Sequence, residues 1–205
     1  HMKRVVFMIS LTFAVSLLVA QDLDQILEKT NKAIGAEARS KIKHMQSNGH
    51  YVMSGTDAKM PFKLQQSKPN NIRIEITIFG LKGIQTYDGQ HAWMLNPLQG
   101  TEAKPADPED MKFISATTAI DGPFLNRTDK RTPSYIGAKE YKGSPCFVVR
   151  ITKSMEEHID YYINTQTYLF DFIRYEYKKN GGWYSMEYKV IEYMNFEGGV
   201  FPGEI

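Results

Sequence analysis

The chain has 205 residues, 25 of them basic and 23 acidic, with a formal net charge of +2. Without Lys3 and Arg4, which belong to the segment described next, basic and acidic residues balance at 23 each. That balance excludes a nucleic-acid binder, which needs a basic excess to neutralise phosphates and release counterions. Its one cysteine, Cys146, excludes a disulfide-stapled scaffold and reads as a small buried apolar residue.

Lys3-Arg4 leads into an apolar run over residues 5–20, then the polar Gln21-Asp22. The run is short of the roughly 20 residues a membrane span needs. A basic start, an apolar stretch and small residues at Val19-Ala20 make a cleavable export signal over residues 1–20. His1 precedes Met2 and is set aside. No cysteine closes the run to accept acyl groups, so the expected mature protein is untethered, not lipidated, and periplasmic. Residues 21–205 are expected to form one domain, long enough for a sizeable core.

Residues 22–34 predict a helix. Leu23, Ile26, Leu27, Thr30, Ala33 and Ile34 recur three and four apart, and Gly35 suits its end. A short second helix is predicted over 36–43. Strands follow at 45–54, 59–66, 71–79, 81–87 and 91–96. Met60, Phe62 and Leu64 share one face of the second. Ile72, Ile74, Ile76 and Ile78 share one face of the third, opposite Arg73, Glu75 and Thr77. Asp88-Gly89 signals a hairpin, and Trp93 and Leu95 are read as the inward residues of the returning strand.

Prolines and glycines interrupt this rhythm over 97–133. Within the interruption, Asp107-Pro108-Glu109-Asp110 has the residues of a helix start, with Met111, Ile114, Ala119 and Ile120 as apolar positions. Phe124 and Leu125 follow at a second helical turn. Strands resume at 134–141, 146–152, 157–163, 169–177 and 183–193, and Pro202 marks a short last strand as an edge. About ten strands with short turns and no βαβ rhythm predict an α+β fold with one antiparallel sheet.

Such a sheet twists and curls, and must bury its apolar face. The two helical segments carry too few apolar residues to fill the concave side, which motivates an apolar cavity. Its expected lining is Met53, Met60, Phe62, Leu64, Ile72, Ile74, Ile76, Trp93, Leu95, Ile159, Tyr161, Phe172, Met186 and Tyr188. Methionine and aromatic side chains repack around varied apolar shapes. Each acyl methylene buried there would contribute about 0.8 kcal/mol. The same residues also describe a fully packed core, because alternation reports a buried face and not a void.

No catalytic or metal site is read from the sequence, and no cofactor is expected. His44, His50, His91 and His158 form neither H-E-x-x-H nor a close metal pair. His158 and Asp160 share a strand face and are read as a solvated surface contact. G-x-S-x-G and Cys/His arrangements are missing from the sequence. The aromatic run from Tyr161 to Tyr177 is interleaved with Asp160, Asp171 and Glu176, which suits a packed strand rather than base stacking. The expectation is a binding protein, not an enzyme.

Three stretches carry a likeness. They are Lys68-Pro69-Asn70-Asn71-Ile72-Arg73-Ile74-Glu75, then Asp88-Gly89-Gln90-His91-Ala92-Trp93-Met94-Leu95-Asn96-Pro97, then Gly122-Pro123-Phe124-Leu125. The sequence over most of residues 40–205 resembles the periplasmic lipoprotein carrier family (LolA-like). The resemblance implies a strongly curved, unclosed antiparallel half-barrel, its concave face plugged by the N-terminal helix and the helical insertion. It implies a soluble carrier of lipoprotein acyl chains or similar lipids for outer-membrane sorting, with an inner- or outer-membrane protein partner. In that family an arginine before Pro-Asn latches the helical lid; Lys68 holds that position here. The family's pocket positions fall on Ile72, Ile74, Ile76, Trp93 and Leu95. The alternative on the same scaffold is a module of the cell envelope that senses lipid or lipoprotein.

Overall fold

The computed structural model describes residues 23–204 other than 53–57, 109–110, 112–113, 115–118 and 126–131. The expected export signal and Met53 lie outside the described residues. The chain divides into two compact units. One is Arg39–Pro123; the other combines the chain up to Ala38 with everything from Phe124 onward.

The Arg39–Pro123 unit is a six-stranded antiparallel meander. Its strands are β1 (His44–Val52), β2 (Lys59–Ser67), β3 (Asn71–Ile78), β4 (Leu81–Tyr87), β5 (Ala92–Leu95) and β6 (Lys104–Ala106), adjacent in chain order. The hairpin turn at Phe79-Gly80 has both residues left-handed, at φ of 50° and 80°. Such a turn matches the twist of the strands it joins. One row of paired residues runs Gln66, Ile72, Tyr87, Ala92, Ala106. Directly paired residues share a face, so this register fixes which side chains stand together. Ile72, Tyr87 and Ala92 are buried in one cluster with Met111, and Leu64, Ile74, Ala106 and Ile114 pack around it. Pro108, Met111 and Ile114 are helical, as the Asp107-Pro108 start predicts.

The other unit opens on helix α1, residues 23–33, whose stripe of Ile26, Leu27, Thr30 and Ile34 is buried. Gly35 ends it at φ 65°. Any side chain there would collide with the Gly198 carbonyl, so the position demands glycine twice over. Helix α2 is Ala36–Lys41. The main sheet has β7 (Pro133–Tyr141), β8 (Ser144–Ser154), β9 (Glu157–Asn164), β10 (Phe170–Lys179) and β11 (Gly182–Lys189), in spatial order β11-β10-β9-β8-β7. β12 (Glu192–Phe196) and β13 (Gly199–Glu204) form a separate pair, with Pro202 on β13. The Val200 N–H donates to the Ile34 carbonyl at 3.0 Å and ties β13 to the end of α1.

The fold is α+β with unclosed antiparallel sheets: each strand order runs from one edge to another. In detail, the described residues hold thirteen strands in three sheets, where about ten in one sheet were expected. β6 is short and contains Pro105, and its sequence reads as loop. The strand expected over 183–193 is two strands. Its backbone breaks where the Val190 N–H donates to the Asp171 carbonyl and the Ile191 N–H to the Glu204 carbonyl, at 2.9 and 2.8 Å. No helix among the described residues is long and apolar enough to cross a membrane.

Candidate functional site

In the Arg39–Pro123 unit the register gathers Met60, Phe62, Leu64, Ile72, Ile74 and Ile76 on one sheet face. Phe62 pairs with Ile76, and Leu64 with Ile74. Ile72 is buried beneath Met111, while the other five are half-buried. The Phe62 ring lies over Gly49 of β1; a Cβ at Gly49 would sit 2.8 Å from its Cε1. Glycine there gives the ring its space.

Trp93 and Leu95 are not on this face, which corrects the sequence reading. Tyr87 pairs with Ala92 across the β4–β5 hairpin, so Ala92 and Met94 join the isoleucines. Trp93 pairs with Thr86, and Thr86 with Arg73, on the opposite face. The turn length sets this register, and a one-residue difference exchanges the two faces. Trp93 is 47% exposed.

In the other unit Ile159, Tyr161, Met186 and Tyr188 share a face: Ile173 pairs with both Tyr161 and Tyr188, and Tyr175 with both Ile159 and Met186. Ile159 and Tyr161 are buried. Phe124 covers this face, 5.2 Å edge-on from Tyr161 and 6.0 Å from Phe170 between ring centroids. Phe172 lies on the other face, a second correction. A β-bulge at Asp171 shifts the pairing from Phe170–Ile163 to Phe172–Tyr162, so one extra residue reverses the alternation. Phe172 packs instead edge-on against Tyr141 and Tyr162, over Cys146 and Val148. Burial pushes the Tyr162 hydroxyl up to about 12.

Lys68, the latch candidate, does reach the segment after the insertion. Its ammonium donates to the Ser40 carbonyl at 2.7 Å and the Arg39 carbonyl at 3.3 Å, and forms an ion pair with Asp121. The planar cation is supplied by Arg39 of α2. It is 5% exposed, and its Nε and Nη2 donate to the carbonyls of Ile120 and Ala119 at 2.7 and 2.8 Å. Two cations thus hold residues 119–121. The sequence reading missed Arg39. A buried guanidinium has no local signature, and the signal available was its place in a short helix just before the first strand.

His158, Asp160 and Glu176 bring metal-type ligand atoms within 4.8 Å of one another. Arg150 already holds Asp160 through two bonds at 2.6 and 2.7 Å, and Arg174 holds Glu176 at 2.7 Å. The carboxylates are neutralised by guanidinium groups, and a cation would have to displace them. The His158–Asp160 pairing expected as a solvated contact is therefore part of an ion-pair ladder in which Asp160 is buried.

No family model matches the chain, and no curated protein sequence matches it. Solved structures do. A LolA superfamily protein from Nitrosomonas europaea is 14% identical with a TM-score of 0.53, over 87% of this chain and 81% of that one. A domain named for outer membrane lipoprotein sorting, from Vibrio parahaemolyticus, is 12% identical with a TM-score of 0.48, over 83% and 80%. At this identity the likeness concerns architecture alone: the chain has the LolA-like fold.

Proposed function

We propose that this protein is an exported, periplasmic carrier that shelters acyl chains of lipoproteins or similar lipids. The observation that carries this reading is the apolar face of the β1–β6 sheet. Met60, Phe62, Leu64, Ile74 and Ile76 stand together there without full burial, beside the one row that Met111 covers. An acyl chain laid along them would complete the burial, at about 0.8 kcal/mol per methylene. No polar chemistry is needed, which suits binding without catalysis. Met111 and Ile114 act as the cover, and Arg39 and Lys68 hold residues 119–121 in place. Opening requires those bonds to the Ala119 and Ile120 carbonyls and to Asp121 to break. The export signal over 1–20 supplies the compartment.

Native mass spectrometry of protein purified from the periplasm tests this, together with uptake of a fluorescent fatty acid. The expected result is a bound lipid and saturable uptake. Lipid-free protein that takes up no fatty acid sinks the reading. Binding with no transfer of lipoprotein between membranes turns it into the sensing module.

A further inference from the structure

We propose that strand β1 pairs with the β1 strand of a second copy of this chain, antiparallel about Asn48, and so makes a two-fold dimer. The proposal does not rest on the carrier reading. β1 is the outer strand of its sheet and pairs through all nine residues, without a bulge, with β2 alone. An edge of that length invites another strand, and proteins block such edges with prolines, charges or bulges. The other edges among the described residues are blocked in these ways. β6 is three residues long and contains Pro105. β7 starts at Pro133 and bulges between Tyr135 and Gly137. β11 carries Glu187 and Lys189, β12 carries Glu192, and β13 carries Pro202 and Glu204. Between His44 and Val52 there is no proline, acid, lysine or arginine.

Backbone parity decides how a partner fits. The Lys68 N–H donates to the Lys43 carbonyl at 3.1 Å, one pair before the strand begins. Hydrogen-bonded pairs alternate along an antiparallel ladder, so the odd-numbered residues of β1 bond to β2. The N–H and C=O groups of His44, Gln46, Asn48 and His50 then point away from the sheet. Pro61, opposite His50, fits this parity, since it has no N–H to give to β1. None of these outward groups has a backbone partner among the described residues, and all four residues are exposed.

A second β1 satisfies this row with itself. Pairing about Asn48 overlaps the whole strand and sets Asn48 opposite Asn48 and Gln46 opposite His50, all outward-facing positions. Those pairs supply about six backbone hydrogen bonds. On one face the meeting side chains are amides and imidazoles, which both donate and accept. Gln46 Oε1 already accepts from the Gln65 amide at 3.3 Å, which leaves its own N–H groups for His50. On the other face Met45 meets Tyr51, a ring that is 55% exposed and suits a sulfur contact. No fixed charge stands opposite its like. Sliding the register by two residues sets His44 opposite His50, two imidazoles that repel when protonated. A foreign strand needs side-chain pockets to be selected, and the Phe62 ring already fills the space over Gly49. The two-fold axis keeps the same sheet face up in both copies. The half-buried face with Met60, Phe62 and Leu64 therefore continues from one copy into the next.

One strand pair buries less than the roughly 1,200 Å² of a standard interface, so the dimer is reversible. The test is sedimentation equilibrium of the whole protein up to about 300 μM. The expected result is a monomer–dimer equilibrium. Asn48→Lys, which sets two like charges against each other at the two-fold axis, weakens it about tenfold or more. Asn48→Pro, which removes an outward N–H that β2 does not use, weakens it as well. Crosslinking reads the register independently of both. With oxidised glutathione, Asn48→Cys forms a disulfide dimer, because the Cα atoms of such a pair stand about 5.5 Å apart. Gln46→Cys alone does not, since its two copies lie about 14 Å apart along the strands, whereas Gln46→Cys mixed with His50→Cys does. Cys146 is fully buried and takes no part. The proposal is overturned if the protein stays monomeric at about 300 μM, and an extended peptide that binds β1 of that monomer would assign the edge to a different partner. It is equally overturned if the dimer survives both substitutions at Asn48, or if Gln46→Cys alone crosslinks as readily as Asn48→Cys.

Discussion

The two units treat their sheets differently. In the β7–β11 sheet the central strands are buried on both faces. One packs Ile159, Tyr161 and Tyr175 under cover that includes Phe124. The other closes with the Tyr141–Tyr162–Phe172 aromatics and with Arg150, Asp160, Arg174 and Glu176. In the β1–β6 sheet only the row through Ile72, Tyr87 and Ala92 is fully buried, and its apolar neighbours are half-buried. Similar alternation thus builds a packed centre in one place and a half-buried apolar surface in the other. What separates them is the supply of covering side chains, not the strands.

Four experiments break or sharpen this contrast. Phe124→Ala should cost about 3–5 kcal/mol in chemical denaturation, the usual range for a buried aromatic; a loss below about 1 kcal/mol would mean the β7–β11 side is not the packed one. Arg39→Met should cost about 2 kcal/mol and speed amide exchange at Gly122 and its neighbours, because two carbonyls lose a charged donor. Phe62→Ala should cost about 1 kcal/mol of stability yet weaken fatty-acid uptake several-fold, reversing the ratio seen at Phe124. The smallest effect concerns pH. Backbone N–H groups of His91 and Gln90 hold the Asp88 carboxyl down at about 2. Its folded value lies below the unfolded value of about 3.9, so its contribution is fully present above that pH and fades as pH falls toward 2. Asp88→Asn should remove that contribution at neutral pH, leave the stability near pH 2 little changed, and so flatten the melting profile across the window.

Much of this architecture was legible in the residues. The spacing of Leu23 to Ile34 marks α1, and Ile72 to Ile78 marks β3 and its buried face. The Pro108 helix start and the Asp88-Gly89 hairpin also stand where expected. Facing between strands was not legible. Alternation says which residues of one strand share a side, but turn length and bulges decide how strands match. Trp93 and Phe172 were assigned inward because they are large. The four-residue link between Tyr87 and Ala92 and the extra Asp171 place each on the opposite face of its sheet, Trp93 exposed and Phe172 buried in a second cluster. Arg39 was missed for a related reason, since its partners, the Ala119 and Ile120 carbonyls, are about 80 positions away.

The unit Arg39–Pro123 is inserted within the other one, between Ala38 and Phe124. A polypeptide emerges N-terminus first, and domains tend to fold as units during that emergence. The six-strand meander, whose pairings are all between consecutive strands, can close as soon as Pro123 is out. Helix α1 must wait longer, because its end is tied by Val200, which appears well after Pro123. The half of the molecule with unfinished oily side chains therefore matures first and stands ready while the remainder is still arriving.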